Sequence, residues 1–125
     1  MTIKAIAFVG IPVTNMNRAR EFYEGVLGLL RDTEMTGVHW TEYPIGGGTL
    51  ALASVGEHWK PSQNGTSAAL EVDNLDAAIA RLEERKVFYD KVDSPVCWMA
   101  VVQDPDGNKI IIHKLKPENG KGICK

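Results

Sequence analysis

The chain contains an approximate copy of itself. Val13-Thr14-Asn15-Met16 followed by Ala19 returns 59 positions later as Val72-Asp73-Asn74-Leu75 followed by Ala78. Gly47 with Leu50-Ala51-Leu52 returns 60 positions later as Gly107 with Ile110-Ile111-Ile112. Two echoes at nearly one offset imply two structural units of the same plan. Between them, Lys60-Pro61-Ser62-Gln63-Asn64-Gly65 reads as a linker, because Pro, Ser, Asn and Gly interrupt regular structure. The expected organisation is one domain over 1–125, with module one at about 3–57, a linker at about 58–66, module two at about 67–115 and a tail at 116–125.

Periodicity orders the elements inside each module. Ile3 to Val13 is apolar and β-branched, as strands are, and Asn15 then caps a helix whose Ala19, Phe22, Tyr23, Val26 and Leu27 recur at helical spacing. Gly28 ends that helix. Leu29 to Pro44 carries two strand-like runs, the second being Val38 to Tyr43, and Gly46-Gly47-Gly48 turns the chain into a strand from Thr49 to Ala53. Because a strand and not a helix follows, the glycines are no phosphate-binding loop. Module two repeats the plan: strand Ser67 to Val72, cap Asn74, helix positions Leu75, Ala78, Ile79 and Leu82, strand-like runs Val87 to Val92 and Val96 to Gln103, then strand Lys109 to His113. Asp104-Pro105-Asp106-Gly107-Asn108 has the chemistry of a tight turn, with Pro fixing φ and Gly accepting a positive one. Each module is therefore βαβββ. The expected fold class is α+β, two repeated βαβββ modules forming a curved mixed sheet around a cup, with helices on the outer face.

Composition narrows the function classes. With 125 residues, 44% of them hydrophobic, the chain can bury a core without a disulfide or a structural metal. Fourteen Lys+Arg against sixteen Asp+Glu, with no clustered positive charge, argue against nucleic acid as a partner. No apolar run approaches the ~20 residues of a membrane span and no leader pattern opens the sequence, so no membrane partner and a cytoplasmic location are expected. Cys97 and Cys124 are too few and too far apart for a disulfide framework or a CxxC site, and both are expected to be reduced thiols.

Alternation along strands sorts the faces. Under the helix of module one fall Ala7, Val9, Ile11, Val13, Leu50 and Leu52; Ile6, Phe8, Gly10, Pro12, Thr49, Ala51 and Ala53 face away. Module two places Ala68, Leu70, Val72, Ile110 and Ile112 under its helix and leaves Ser67, Ala69, Glu71, Lys109, Ile111 and His113 opposite. A face that mixes small, polar and apolar residues suits a small-molecule cup.

These residues resemble the vicinal oxygen chelate superfamily, which groups glyoxalases, bleomycin resistance proteins and extradiol dioxygenases. The resemblance covers roughly residues 3–115. It rests on Val13-Thr14-Asn15-Met16 leading to Glu21-Phe22-Tyr23 and Val26-Leu27-Gly28-Leu29, on Leu70-Glu71-Val72-Asp73-Asn74-Leu75, and on Asp104 to Asn108. These motifs mark the fold and say little about chemistry, since the family hosts both enzymes and sequestering proteins. The resemblance implies a homodimer with sites near the subunit interface. It also implies that metal-dependent members carry His, Glu or Gln where this chain has Phe8, Ala51, Ser67 and Ile111. None of the four is a good metal ligand, so no metal and no cofactor are expected.

The expected ligand-binding residues are Phe8, Trp40, Glu42, Ala51, Ser67, Trp98 and Ile111, with Trp40 and Trp98 as aromatic walls. Glu71 and His113 are the candidates for catalysis. In parallel neighbouring strands a carboxylate can orient an imidazole for acid–base work or for anchoring a polar group. Glu42, Glu71 and His113 together form the alternative of a relocated metal site. His39 and His58 read as surface residues. The preferred function is metal-free binding of a small apolar or aromatic molecule. The alternatives are a glyoxalase-like lyase, isomerase or dioxygenase working through relocated ligands or Glu71/His113, and an interaction module joining a partner through strand edges.

Overall fold

The computed structural model describes residues 1–56 and 59–117. The chain divides into two compact units, Met1–Ser62 and Gln63–Lys125. In the first unit the order is β1 (Val9–Pro12), α1 (Met16–Arg20) continued by a π-helical turn (Glu21–Val26), β2 (Asp32–Gly37), β3 (Trp40–Ile45) and β4 (Gly48–Ala53). The second runs β5 (Ala68–Glu71), α2 (Leu75–Glu84), β6 (Asp90–Asp93), β7 (Cys97–Gln103) and β8 (Lys109–Leu115). Each unit holds one mixed four-stranded sheet, ordered β1-β4-β3-β2 and β5-β8-β7-β6. The duplicated sequence thus folds into duplicated α+β topology. In both sheets the first strand pairs parallel to the last, and the other pairs are antiparallel.

The helices start where their caps stand. Asn15 Oδ1 accepts from Arg18 N–H at 3.0 Å, and Asn74 Oδ1 accepts from Ala77 N–H at 3.0 Å. Each satisfies a first-turn donor that the helix leaves unpaired. The first helix widens after Arg20: Leu27 N–H bonds Phe22 O at 3.0 Å, five residues back, where an α-helix would use four. This turn lets the consecutive Phe22 and Tyr23 both be buried, their rings in edge contact at 5.2 Å. Tyr23 also stacks on Tyr43 of β3 at 6.2 Å. Arg20 ties the helix to the sheet, donating to Thr41 Oγ1 and to Gly37 O, both at 2.9 Å. The buried Thr41 hydroxyl in turn donates to Met16 Sδ at 3.2 Å.

The cores form between each helix and one face of its sheet: Ile11, Val13, Tyr43, Leu50 and Leu52 in the first unit, Ala100, Val102, Ile110 and Ile112 in the second. Gly46, at φ +56°, leads the two-residue turn between β3 and β4. Lys86 ends α2 in the left-handed conformation, φ +58°, with Val87 N–H reaching back to Leu82 O at 2.8 Å.

Several expectations require correction. The first strand spans Val9–Pro12 and not Ile3 to Val13, and residues 1–10 are exposed, Val9 included, so Ala7 and Val9 do not contribute to the core. An apolar β-branched run favours extended backbone but supplies no partner strand, and the pairing with β4 begins only at Val9 and Leu50. Cys97 is buried on β7 and disulfide-bonded, where a reduced thiol was expected; sequence separation does not measure separation in space. Cys124 lies outside the described residues. No described helix is long and apolar enough to cross a membrane.

The tight turn before β8 is built on the buried Asp104. Its Oδ1 accepts from the N–H groups of Asp106 and Asn108, each at 2.9 Å, and Oδ2 accepts from Asn108 Nδ2 at 2.9 Å. Asp104→Ala leaves the buried Asn108 donors without this acceptor and is expected to cost about 3 kcal/mol of stability, read from urea denaturation midpoints. Asp104→Asn keeps one acceptor oxygen and is expected to lose less.

Candidate functional site

In the first unit the face turned away from α1 is defined by strand register. Gly10 pairs with Ala51 and Ala51 with Glu42; one row along, Pro12 pairs with Ala53 and Ala53 with Trp40. The first row therefore crosses the sheet with a hydrogen, a methyl and a carboxylate, and Ala51 at its centre is fully buried. Aromatic rings gather by that row. Phe8, just ahead of β1, meets Trp40 edge-on at 5.1 Å. Trp59, from the segment after β4, lies 6.5 Å from both Phe8 and Trp40. Trp40 Nε1–H donates to Glu42 Oε2 at 2.8 Å, which explains a charge in an otherwise uncharged strand. Residues two apart on a strand share a face, so the carboxylate orients the indole.

Phe8 and Trp59 are 38% and 40% exposed, so the cluster is a partly open aromatic surface and not core. Phe8, Trp40, Glu42 and Ala51 are thus brought together. Trp59 was missed in sequence because it stands in a stretch with no periodicity. The signal that points to it is Gly10, a missing side chain in an apolar strand.

In the second unit Glu71 on β5 pairs with His113 on β8, and His113 with Met99 on β7. His113 Nδ1 donates to Glu71 Oε1, and Leu115 N–H donates to Glu71 Oε2 at 3.0 Å. The second bond has a topological cause. β5 ends at Glu71 while β8 continues to Leu115, so the Glu71 carboxylate takes the donor that a longer strand would have paired. Held at both oxygens, Glu71 fixes the imidazole and leaves Nε2 as the nitrogen turned to other partners.

Burial alone raises the Glu71 carboxyl, but the hydrogen bonds from His113 and Leu115 and the charges of His113 and Lys114 outweigh it, and its pKa falls below the ordinary value. Ile111 shares this face, paired with Ala69 and Val101. Ser67 immediately precedes β5 and is exposed.

Trp98 is placed elsewhere. It pairs with Lys114 on the face that carries Ala100, Val102, Ile110 and Ile112, opposite Ile111 and His113. There it lies under Lys116, whose Nζ is 5.2 Å from the ring centroid and donates to Asp93 Oδ1 at 2.6 Å. The middle strands of the two modules are in phase at the 59-residue offset, with Thr41 and Tyr43 matching Ala100 and Val102 on the helix-bearing faces; the copy of Trp98 is therefore His39, and Trp40 and Trp98 stand on opposite faces. His39 is exposed, its Nδ1 3.1 Å from Ser54 Oγ. His58 lies outside the described residues.

The model of the Glyoxalase/Bleomycin resistance protein/Dioxygenase superfamily matches residues 5–112. The chain belongs to this superfamily. Among solved structures similar to this superfamily member is TnmS3, an antibiotic binding protein from Streptomyces sp. CB03234, at 29% identity and a TM-score of 0.76, covering 93% of this chain and 99% of that one. A glyoxalase/bleomycin resistance protein from the same Streptomyces is 29% identical with a TM-score of 0.69, covering 90% of this chain and all of that one. Lactoylglutathione lyase from Agrobacterium tumefaciens shares the fold at 16% identity and a TM-score of 0.73, over 90% of this chain and 95% of that one. No curated protein matches the chain.

The metal that the superfamily implies can be tested against the donors present. At the four positions where metal-dependent members carry ligands, this member offers a phenyl ring, a methyl, an exposed hydroxyl and a branched alkyl group, and the set does not fit a divalent ion. Among the described residues no group of three or more His, Cys, Asp or Glu is placed to hold a metal. Glu42 belongs to one unit and Glu71 and His113 to the other, so each is read within its own unit.

The Glu71 carboxylate stabilises the folded state in its ionised form. That contribution is complete above the ordinary carboxyl pKa and is lost as pH falls through the lowered one. In a carboxyl-carbon NMR titration Glu71 is expected to titrate below exposed glutamates, and in His113→Ala its midpoint is expected to rise while the Leu115 bond keeps part of the shift.

Proposed function

We propose that this member of the superfamily binds a small, flat, aromatic organic molecule without a metal, on the face of the first sheet that carries Phe8, Trp40, Trp59 and Glu42. The observation that carries the reading is the aromatic cluster beside the Gly10–Ala51 row. An alkyl or amide ligand would not suit a face gathered around aromatic rings, whereas a π-system gains from edge and stacked contacts there. Glu42 supplies a charged acceptor beside the rings and orients Trp40. The antibiotic-binding activity of TnmS3 agrees in kind with this reading.

Glu71 and His113 support a second reading, in which the protein transforms a ligand by metal-free acid–base chemistry. The observation in its favour is the fixed imidazole, whose Nδ1 is held by a carboxylate so that Nε2 is available to exchange a proton. Ser67 and Ile111 then serve as neighbouring surface. The homodimer implied by the family belongs to both readings.

Native mass spectrometry of the purified chain, with polycyclic aromatic antibiotics added, tests the reading by reporting subunit number, metal content and retained ligand together. Saturable binding without turnover is expected. Trp40→Ala is expected to weaken it about tenfold, the equivalent of ~1.4 kcal/mol of lost ring contact. Turnover that disappears in both Glu71→Ala and His113→Ala would put the second reading first.

A further inference from the structure

Gly10 lies in a regular strand and its φ is not in the left-handed region, so the backbone does not require glycine there. The space does. A Cβ on Gly10 would stand 2.9 Å from both Cζ3 and Cη2 of Trp59, so the indole edge rests directly on the main chain of β1. The next residue in the row is Ala51, the smallest side chain that still has a Cβ. Together they offer a flat ring main chain and one buried methyl to lie against, and the ring over Gly10 belongs to this chain.

Trp59 is held there weakly. It is 40% exposed, it comes from a segment outside any strand, and its ring contacts at 6.5 Å are tilted and not face to face. Among the described residues its indole N–H has no hydrogen bond, whereas Trp40, on a strand, is anchored through Glu42. Among the described residues one indole is therefore fixed and the other is held by contact alone.

We infer that Trp59 stands in the place of the ligand: the bed formed by Gly10 and Ala51 is the ring subsite, and binding exchanges the Trp59 indole for an aromatic ring of the ligand. This inference rests on the reading given under Proposed function and names the ligand class more closely, as a ring system at least as large as indole. A smaller ring recovers less contact than the indole it displaces. Trp59 thereby sets both affinity and the minimum ring size, since the affinity of a competent state is reduced by the fraction of time that state is populated.

The sign of one substitution separates this role from that of a wall. Removing a wall lowers affinity; removing a competitor raises it. The probe is free indole, titrated into the full-length wild type and into Trp59→Ala while the backbone amide resonances of Gly10 and Ala51 are followed by NMR. Indole is expected to shift both resonances saturably in Trp59→Ala, with an affinity about tenfold or more above that for the wild type. The effect should be absent in Gly10→Ala/Trp59→Ala, where the added methyl occupies the bed. Trp59→Leu, which retains apolar bulk, serves if the alanine variant melts early, and is expected to bind indole with intermediate affinity.

Indole binding no better to Trp59→Ala and Trp59→Leu than to the wild type would overturn the inference. If the wild type still bound larger aromatic compounds, the binding face itself would stand and Trp59 would be its wall. Absence of any shift at Gly10 and Ala51 in all of these proteins, with indole and with the larger compounds alike, would overturn the reading and the inference together.

Discussion

Both sheets depend on a single pairing, that of the first strand of each unit with the last, in parallel. β1 and β4, like β5 and β8, are separated by a helix and two strands, and a parallel pair can form only across such a crossover. Once formed, it sets which distant residues share a row. Gly10 meets Ala51, and Glu71 meets His113. A slip of one residue would turn either Ile11 or Leu52 out of the core and bring Gly10 or Ala51 under the helix in its place, so the hydrophobic faces hold the register in which the candidate sites are assembled.

The same scaffold is used differently in the two units. In the first, the row away from the helix is emptied by Gly10 and Ala51 and furnished with aromatic rings; in the second, it carries the Glu71–His113 pair. The helix-facing sides have diverged much less, because they must fill the same space: Leu50 and Leu52 correspond to Ile110 and Ile112, and all four are buried. Divergence is concentrated where packing does not restrict it, which is where binding chemistry is free to change.

Anchoring differs in kind from contact, and the aromatic cluster contains both. Trp40 is oriented by a hydrogen bond between residues on one strand, a geometry the pleat enforces. Trp59 is accommodated by shape, by a glycine that lets a ring touch backbone. Similarly, the Glu71 carboxylate is held by a backbone N–H at the place where its own strand stops, so the end of β5 belongs to the site's chemistry. In each case a polar or apolar vacancy in the sheet is filled by a side chain that no local rule requires.

Much of the fold was legible in the sequence, since repetition, alternation and turn chemistry are local or periodic properties. The order βαβββ, the caps Asn15 and Asn74, the turn at Asp104, the phase of the first and last strands, and the apposition of Glu71 with His113 can all be read from it. The true start of β1, the widening of the first helix at Glu21, and the placement of Trp98 on the helix-bearing face could not. Those depend on where pairing with the partner strand begins, on how two adjacent aromatic residues share one face of a helix, and on the phase of a middle strand whose both faces are partly apolar. Trp59 is the clearest case. The sequence by itself determined that Gly10 leaves a gap, because a missing side chain is a local fact; only the tertiary structure decided what fills it, because contact between residues 49 positions apart follows from where the chain after β4 returns across the sheet, which no periodicity encodes.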